Sequence, residues 1–141
     1  MKPLGTGTNL WPSTPANYPY TTACTNLDAL KTWWATPSNR DAFAHVSHTF
    51  THEDENNATY FDIHREISWN QAWLTQTGIA AASKFSPKGL VPPAITGLHN
   101  GDALRAWVEL GITNVVGDNT RPVLMNTVSI PRTSDIIYRG C

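Results

Sequence analysis

Gly89-Leu90-Val91-Pro92-Pro93-Ala94-Ile95, the loop Thr96-Gly97-Leu98-His99-Asn100, a helix pattern from Asp102 to Leu110, and Ile112-Thr113-Asn114-Val115-Val116 follow one another without a break. The first piece is apolar, stiffened by two central prolines, and reads as a strand. Asn100 is a good N-cap residue, and Asp102 puts an acid where the helix dipole favours one. Leu104, Trp107, Val108 and Leu110 give that helix its buried face, and Gly111 stops it as a C-cap. The β-branched run at 112–116 is the next strand, with Gly117-Asp118-Asn119-Thr120-Arg121-Pro122 as the loop at its end. Strand, polar loop, helix, strand is the grammar of βα units around a parallel sheet or partial barrel, so the fold class expected is α/β.

The same order appears upstream. Phe43-Ala44-His45-Val46 reads as a short buried strand, with His48-Thr49-Phe50-Thr51-His52 at its C-terminal end. The polar run 53–57 reads as a surface loop. A helix is expected from Tyr60 through Gln76, where Ile63, Ile67 and Leu74, with Tyr60 and Trp73, form an apolar stripe and Gly78 sits near the stop. His64 falls inside it and reads as packing or solvent-facing. Earlier still, Thr25-Asn26 is a candidate cap for a helix through Leu27, Leu30, Trp33 and Trp34, ended by Pro37-Ser38-Asn39. Residues 1–23 hold four of the ten prolines and read as an irregular arm, leaving 24–141 as the α/β domain. The opening looks like a loop with no element before it. Asp135-Ile136-Ile137-Tyr138 has strand character with Cys141 close behind. The chain therefore reads as a piece of a longer protein, incomplete at both ends.

With 141 residues the chain makes one domain and falls short of the ~250 residues of a full eight-unit barrel. Only 15% of residues are charged and the net charge is −1, which leaves no basic field for nucleic acid. No stretch approaches the ~20 apolar residues of a membrane span, and no apolar run follows Met1-Lys2-Pro3 as in a secretory leader. Six tryptophans and four tyrosines serve either as core or as exposed rings that stack on sugars. Whether Cys24 and Cys141 pair stays open. Asn57-Ala58-Thr59 is an N-glycosylation triplet and tilts the reading toward the secretory pathway.

The chemistry centres on the two histidines. Imidazoles four residues apart reach one metal ion from a helical turn or tight loop, and catalytic zinc uses three protein ligands with one position open. His48 and His52 thus offer two of three ligands. His45 precedes them but fits the strand better. A zinc peptidase is disfavoured, because Thr49 stands where the His-Glu-x-x-His pattern requires glutamate. Both cysteines are far from the pair in sequence, against a structural zinc site. Three strand-end loops share one face of such a fold: the histidine pair, Leu98-His99-Asn100, and Asp118-Asn119-Thr120-Arg121.

At this point the sequence resembles the NodB-homology polysaccharide deacetylases, closest to the fungal, secreted galactosaminogalactan-deacetylase type. That family's second motif is His-[Ser/Thr]-x-x-His, here His48-Thr49-Phe50-Thr51-His52, and the resemblance implies that His48 and His52 bind zinc or another divalent metal. The stretch from Leu90 to Asn100 takes the place of its third, groove-wall motif, without the motif's arginine and tyrosine. His99 and Asn100 are its candidates for the substrate groove. Asp118 and Arg121 take the place of residues that tune the catalytic base. The resemblance covers roughly residues 43 to 132. The Thr-Phe-Asp-Asp motif, which supplies base and aspartate ligand, has no counterpart; Asp28 and Asp41 are lone acids. The Leu-x-His motif of the general acid is also missing.

The resemblance implies a partial (β/α) barrel and metal-assisted hydrolysis of N-acetyl groups on an N-acetylhexosamine polysaccharide, outside the cell or in its wall. The partner expected is the polysaccharide, not nucleic acid or membrane. The rival expectation is a non-catalytic remnant that binds glycan through an aromatic-rich face, since base and acid motifs are missing.

Overall fold

The computed structural model describes residues 2–8 and 17–117. Three parallel strands, β1 (His45–Ser47), β2 (Phe85–Leu90) and β3 (Asn114–Val115), form one sheet in that spatial order. Helix α4 (Tyr60–Gln76) links β1 to β2, and α5 (Gly101–Glu109) links β2 to β3. Parallel crossovers turn right-handed, so consecutive ones lay their helices on one side of a sheet. Here α4 and α5 pack against each other. This is the expected α/β architecture, consistent with a section of barrel wall.

The core is Ala58, Ile63, Ile67, Leu90, Leu98, Ala103, Ala106, Trp107 and Ile112. Each large apolar side chain there contributes about 1.5–3 kcal/mol by leaving water. Helix α4 has the expected bounds because its start is firmly capped. Thr59 and Asp62 form a reciprocal capping box, and Arg65 ties the other Asp62 oxygen at 3.1 Å. Helix α5 is capped by the Asn100 side chain on the Asp102 N–H, 3.1 Å. Its buried face is smaller than expected: Ala103, Ala106 and Trp107 are buried, whereas Val108 is half-exposed. Among the described residues, no helix is long and apolar enough to cross a membrane.

Elsewhere the elements shift from expectation for identifiable reasons. Strand β1 lies one to two residues later than Phe43–Val46, and both Phe43 and Val46 are half-exposed. Strand β2 stops at Leu90, before two prolines that cannot donate to a ladder. Its own Pro87 falls in a bulge, where the register jumps from Val46↔Ser86 to Ser47↔Leu90. Gly89 serves that bulge, since a Cβ there would sit 2.9 Å from Val46 Cγ2. The single helix expected from Thr25 is three short ones: α1 (Thr22–Thr25), α2 (Ala29–Ala35, capped by Asp28) and α3 (Pro37–Arg40). Pro37 opens α3 at the position where a missing N–H costs nothing. Leu27, Leu30 and Trp33 are exposed rather than buried.

Candidate active site

The histidine loop leaves the C-terminal end of β1 and turns back sharply. Thr49 and His52 both adopt left-handed backbone, φ 63°. For non-glycine residues this costs about 1–2 kcal/mol each, and such strain clusters at functional sites. What holds it is α4. The fully buried Glu66 accepts the N–H groups of Phe50 (3.0 Å) and Thr51 (2.7 Å) and the Thr51 hydroxyl (2.6 Å). One turn later, Asn70 accepts the Ser47 hydroxyl at 2.8 Å and donates to the Thr49 carbonyl at 2.7 Å. Hydrogen bonds to a charged partner are worth about 1.5–3 kcal/mol each, enough to offset the strain.

The loop after β2 runs alongside. Its Val91 carbonyl accepts His48 Nδ1 at 2.7 Å. A carbonyl only accepts, so Nδ1 carries a proton, and Nε2 is the nitrogen of a neutral ring that would be open to a metal. This backbone tether is how metal-binding histidines are usually oriented. The His48 and His52 rings lie edge to face, centroids 4.8 Å apart, and both side chains are exposed. Ala94 (φ 48°) and Ile95 (φ 55°) repeat the left-handed strain in this second loop. Among the described residues, all four strained non-glycine residues therefore lie in the loops that follow β1 and β2.

The segment after His52 exposes Asp54, Asn56 and Asn57 as its polar sequence suggests, but it buries one residue among them. Glu55 is fully buried. Its N–H donates to the Thr96 hydroxyl (3.0 Å), which in turn donates to the Pro93 carbonyl (2.6 Å). Neither Glu55 carboxyl oxygen nor the Trp107 indole nitrogen has a partner of good hydrogen-bond geometry. Burial pushes the Glu55 carboxyl up to about 8, with the nearby indole offsetting part of the effect and the Glu66 carboxylate adding to it. Gly97 (φ 90°) is required here, because a Cβ would lie 2.7 Å from the Trp107 ring.

Of the groove candidates, His99 is exposed on this second loop. Asn100 is fully buried and its amide is engaged: the oxygen caps α5, and the nitrogen donates to the Glu55 and Ala58 carbonyls, 2.8 Å each. It shapes the loop that presents His99. Asp118, Arg121 and Cys141 lie outside the described residues. His45 is tied to the Arg40 carbonyl at 2.8 Å, and His64 leans on Tyr60, so neither joins the pair. Among the described residues no third histidine, cysteine or acid completes a metal cluster. The two imidazoles fit a divalent ion of zinc type as two of three ligands. The residues that sequence reasoning missed are Glu66 and Asn70. Their signal was present, as polar residues at i and i+4 interrupting the buried stripe of α4.

Comparison with known proteins agrees with this geometry. Residues 1–134 match the family described as the Agd3 deacetylase domain. The fold matches the crystal structure of Agd3, described as a novel carbohydrate deacetylase, with a TM-score of 0.82 and 68% sequence identity. The match covers 89% of this chain and 19% of that one, so the chain spans about a fifth of its solved relative. No curated protein sequence matches the chain.

Proposed function

This chain belongs to the Agd3 deacetylase-domain family, and from that premise we propose that it supplies the metal-holding wall of a carbohydrate deacetylase site. The reaction is hydrolysis of N-acetyl groups on an N-acetylhexosamine polysaccharide: water adds to the amide carbonyl, the C–N bond breaks, and acetate and a free amine leave. The observation that carries the reading is the His48–His52 pair, with His48 held as the Nδ1–H tautomer by Val91.

His48 and His52 would hold the ion, joined by a carboxylate that the described residues do not supply. A bound divalent ion polarises the amide carbonyl and acidifies water. The chain's own part is orientation. Val91 fixes the His48 ring, and Glu66 and Asn70 fix the backbone between the ligands. His99 is proposed as groove wall, set in place by Asn100. Asp118 and Arg121 are proposed, on the resemblance alone, to tune the base. A polymeric glycan substrate places the parent protein outside the cell or in its wall.

The test is acetate release from an N-acetylated hexosamine polymer by the zinc-loaded protein. His48→Ala and His52→Ala should each reduce release to background. Unchanged release in those variants would sink the proposal. A second reading, glycan binding without turnover, draws on the lack of a third ligand among the described residues. It expects no acetate from any form, and polymer binding that survives both alanine changes.

A further inference from the structure

One sequence motif is not accounted for by the metal site. Asn57-Ala58-Thr59 is the chain's one Asn-x-Ser/Thr triplet, the acceptor pattern for N-linked glycans. It closes the polar segment after His52 and leads into α4. Such triplets recur by chance, so the surroundings of the three residues decide whether a glycan fits. A glycan is bulky and needs an asparagine whose side chain reaches solvent. Asn57 meets that condition, being exposed. The rest of the triplet turns inward: Ala58 is in the core and Thr59 is half-buried.

The hydrogen bonds at Asn57 leave its reactive atom open. The side-chain oxygen accepts Lys2 Nζ at 2.8 Å, and the backbone carbonyl accepts the Thr8 N–H. Nδ2, the atom that carries an N-linked glycan, donates to none of the described residues. A modified amide keeps its oxygen, so the Lys2 contact is compatible with the sugar. Thr59 sets the timing. The transferring enzyme reads the hydroxyl two residues after the asparagine. In the fold that hydroxyl donates to Asp62 Oδ2 at 2.7 Å and accepts the Asp62 N–H, as half of the α4 capping box. With the hydroxyl engaged and Ala58 packed away, the triplet is legible only before α4 forms.

We propose that Asn57 is an N-glycosylation site, loaded before the domain folds. The donor is an oligosaccharide linked through a diphosphate to a lipid. Nδ2 bonds to C1 of the first sugar, the bond from C1 to the diphosphate oxygen breaks, the lipid diphosphate leaves, and the amide gives up one proton. The finished glycan stands where the loop after β1 enters α4, outside the core. The proposal rests only on the extracellular placement in the reading above, and needs neither metal nor turnover.

The full chain is passed behind a secretory leader through a eukaryotic host, recovered from cells and medium alike, and weighed before and after peptide-N-glycosidase. That enzyme removes the glycan and turns the carrying asparagine into aspartate, so peptide mapping names the position. A single glycan at Asn57 is expected. It should vanish in Asn57→Gln and persist in Thr59→Ser, which keeps both hydroxyl and cap. The timing has its own readout: a microsomal transferase should load a peptide of residues 54–62 about tenfold faster or more than the folded chain made in bacteria, because the folded triplet must first open. An unmodified Asn57 in the secreted chain overturns the site, and equal loading of peptide and folded chain overturns the timing. Acetate release is measured separately on the zinc-loaded protein, so failure of the deacetylase reading leaves the mass of the secreted chain unchanged.

Discussion

Glu66 grips Thr51 twice, through the N–H at 2.7 Å and the hydroxyl at 2.6 Å, from a carboxylate that is 1% exposed. The residue that holds the histidine loop thus sits on the helix behind it and grips the backbone between the two histidines. Glu66→Gln keeps the shape and removes the charge. It should lower stability by about 1.5–3 kcal/mol and weaken zinc binding roughly tenfold or more. Chelator-competition titration alongside a thermal melt checks both; zinc affinity equal to the parent's refutes the clamp.

Zinc itself should stabilise the fold. A ligand present at about a hundred times its Kd adds ~2.7 kcal/mol if it binds only the native state. The melting temperature should therefore rise with zinc, and the rise should vanish in His48→Ala and His52→Ala. A rise that persists in both variants places the ion elsewhere.

Glu55 gives stability an unusual pH dependence. Burial pushes its carboxyl up to about 8 from an ordinary value of 4.5, so between those values the native state holds a proton that the unfolded chain has released. Stability then falls as pH climbs through that window, by on the order of 5 kcal/mol, and levels off above it. Glu55→Gln cannot titrate and should flatten the curve. Urea midpoints from pH 4 to 9 for both forms make the comparison, and parallel curves rule it out.

Two glycines separate backbone strain from crowding. Gly97 and Gly111 have similar φ, 90° and 82°, but a Cβ at 97 meets Trp107 at 2.7 Å while one at 111 meets nothing within 4 Å. Gly111→Ala should cost about 1 kcal/mol and Gly97→Ala about 2–4. Chemical denaturation gives both values; equal losses contradict the packing argument.

What could be read in advance was whatever local pattern controls. The apolar stripe and Gly78 defined α4, Asn100 announced α5, and His48-x-x-x-His52 announced the pair proposed as ligands. What escaped was set by partners distant in sequence. Glu55 sits among acids and amides and looks solvated, yet Thr96, Gly97 and Trp107 enclose it. Pro92-Pro93 continued an apolar run on paper, but its missing donors ended β2. Leu27, Leu30 and Trp33 showed helical spacing without a core to receive them, so periodicity there misjudged burial.

The order of events along β1, the loop and α4 has one more implication. The proposed ligands, the strained turn and the clamp lie within residues 45–76, a single uninterrupted segment. Heredity can therefore shuffle, duplicate or graft this module whole, because the metal grip travels with its own splint. A recipient scaffold would need to provide the remaining ligand and a neighbouring parallel strand whose carbonyl stands where Val91 offers its oxygen.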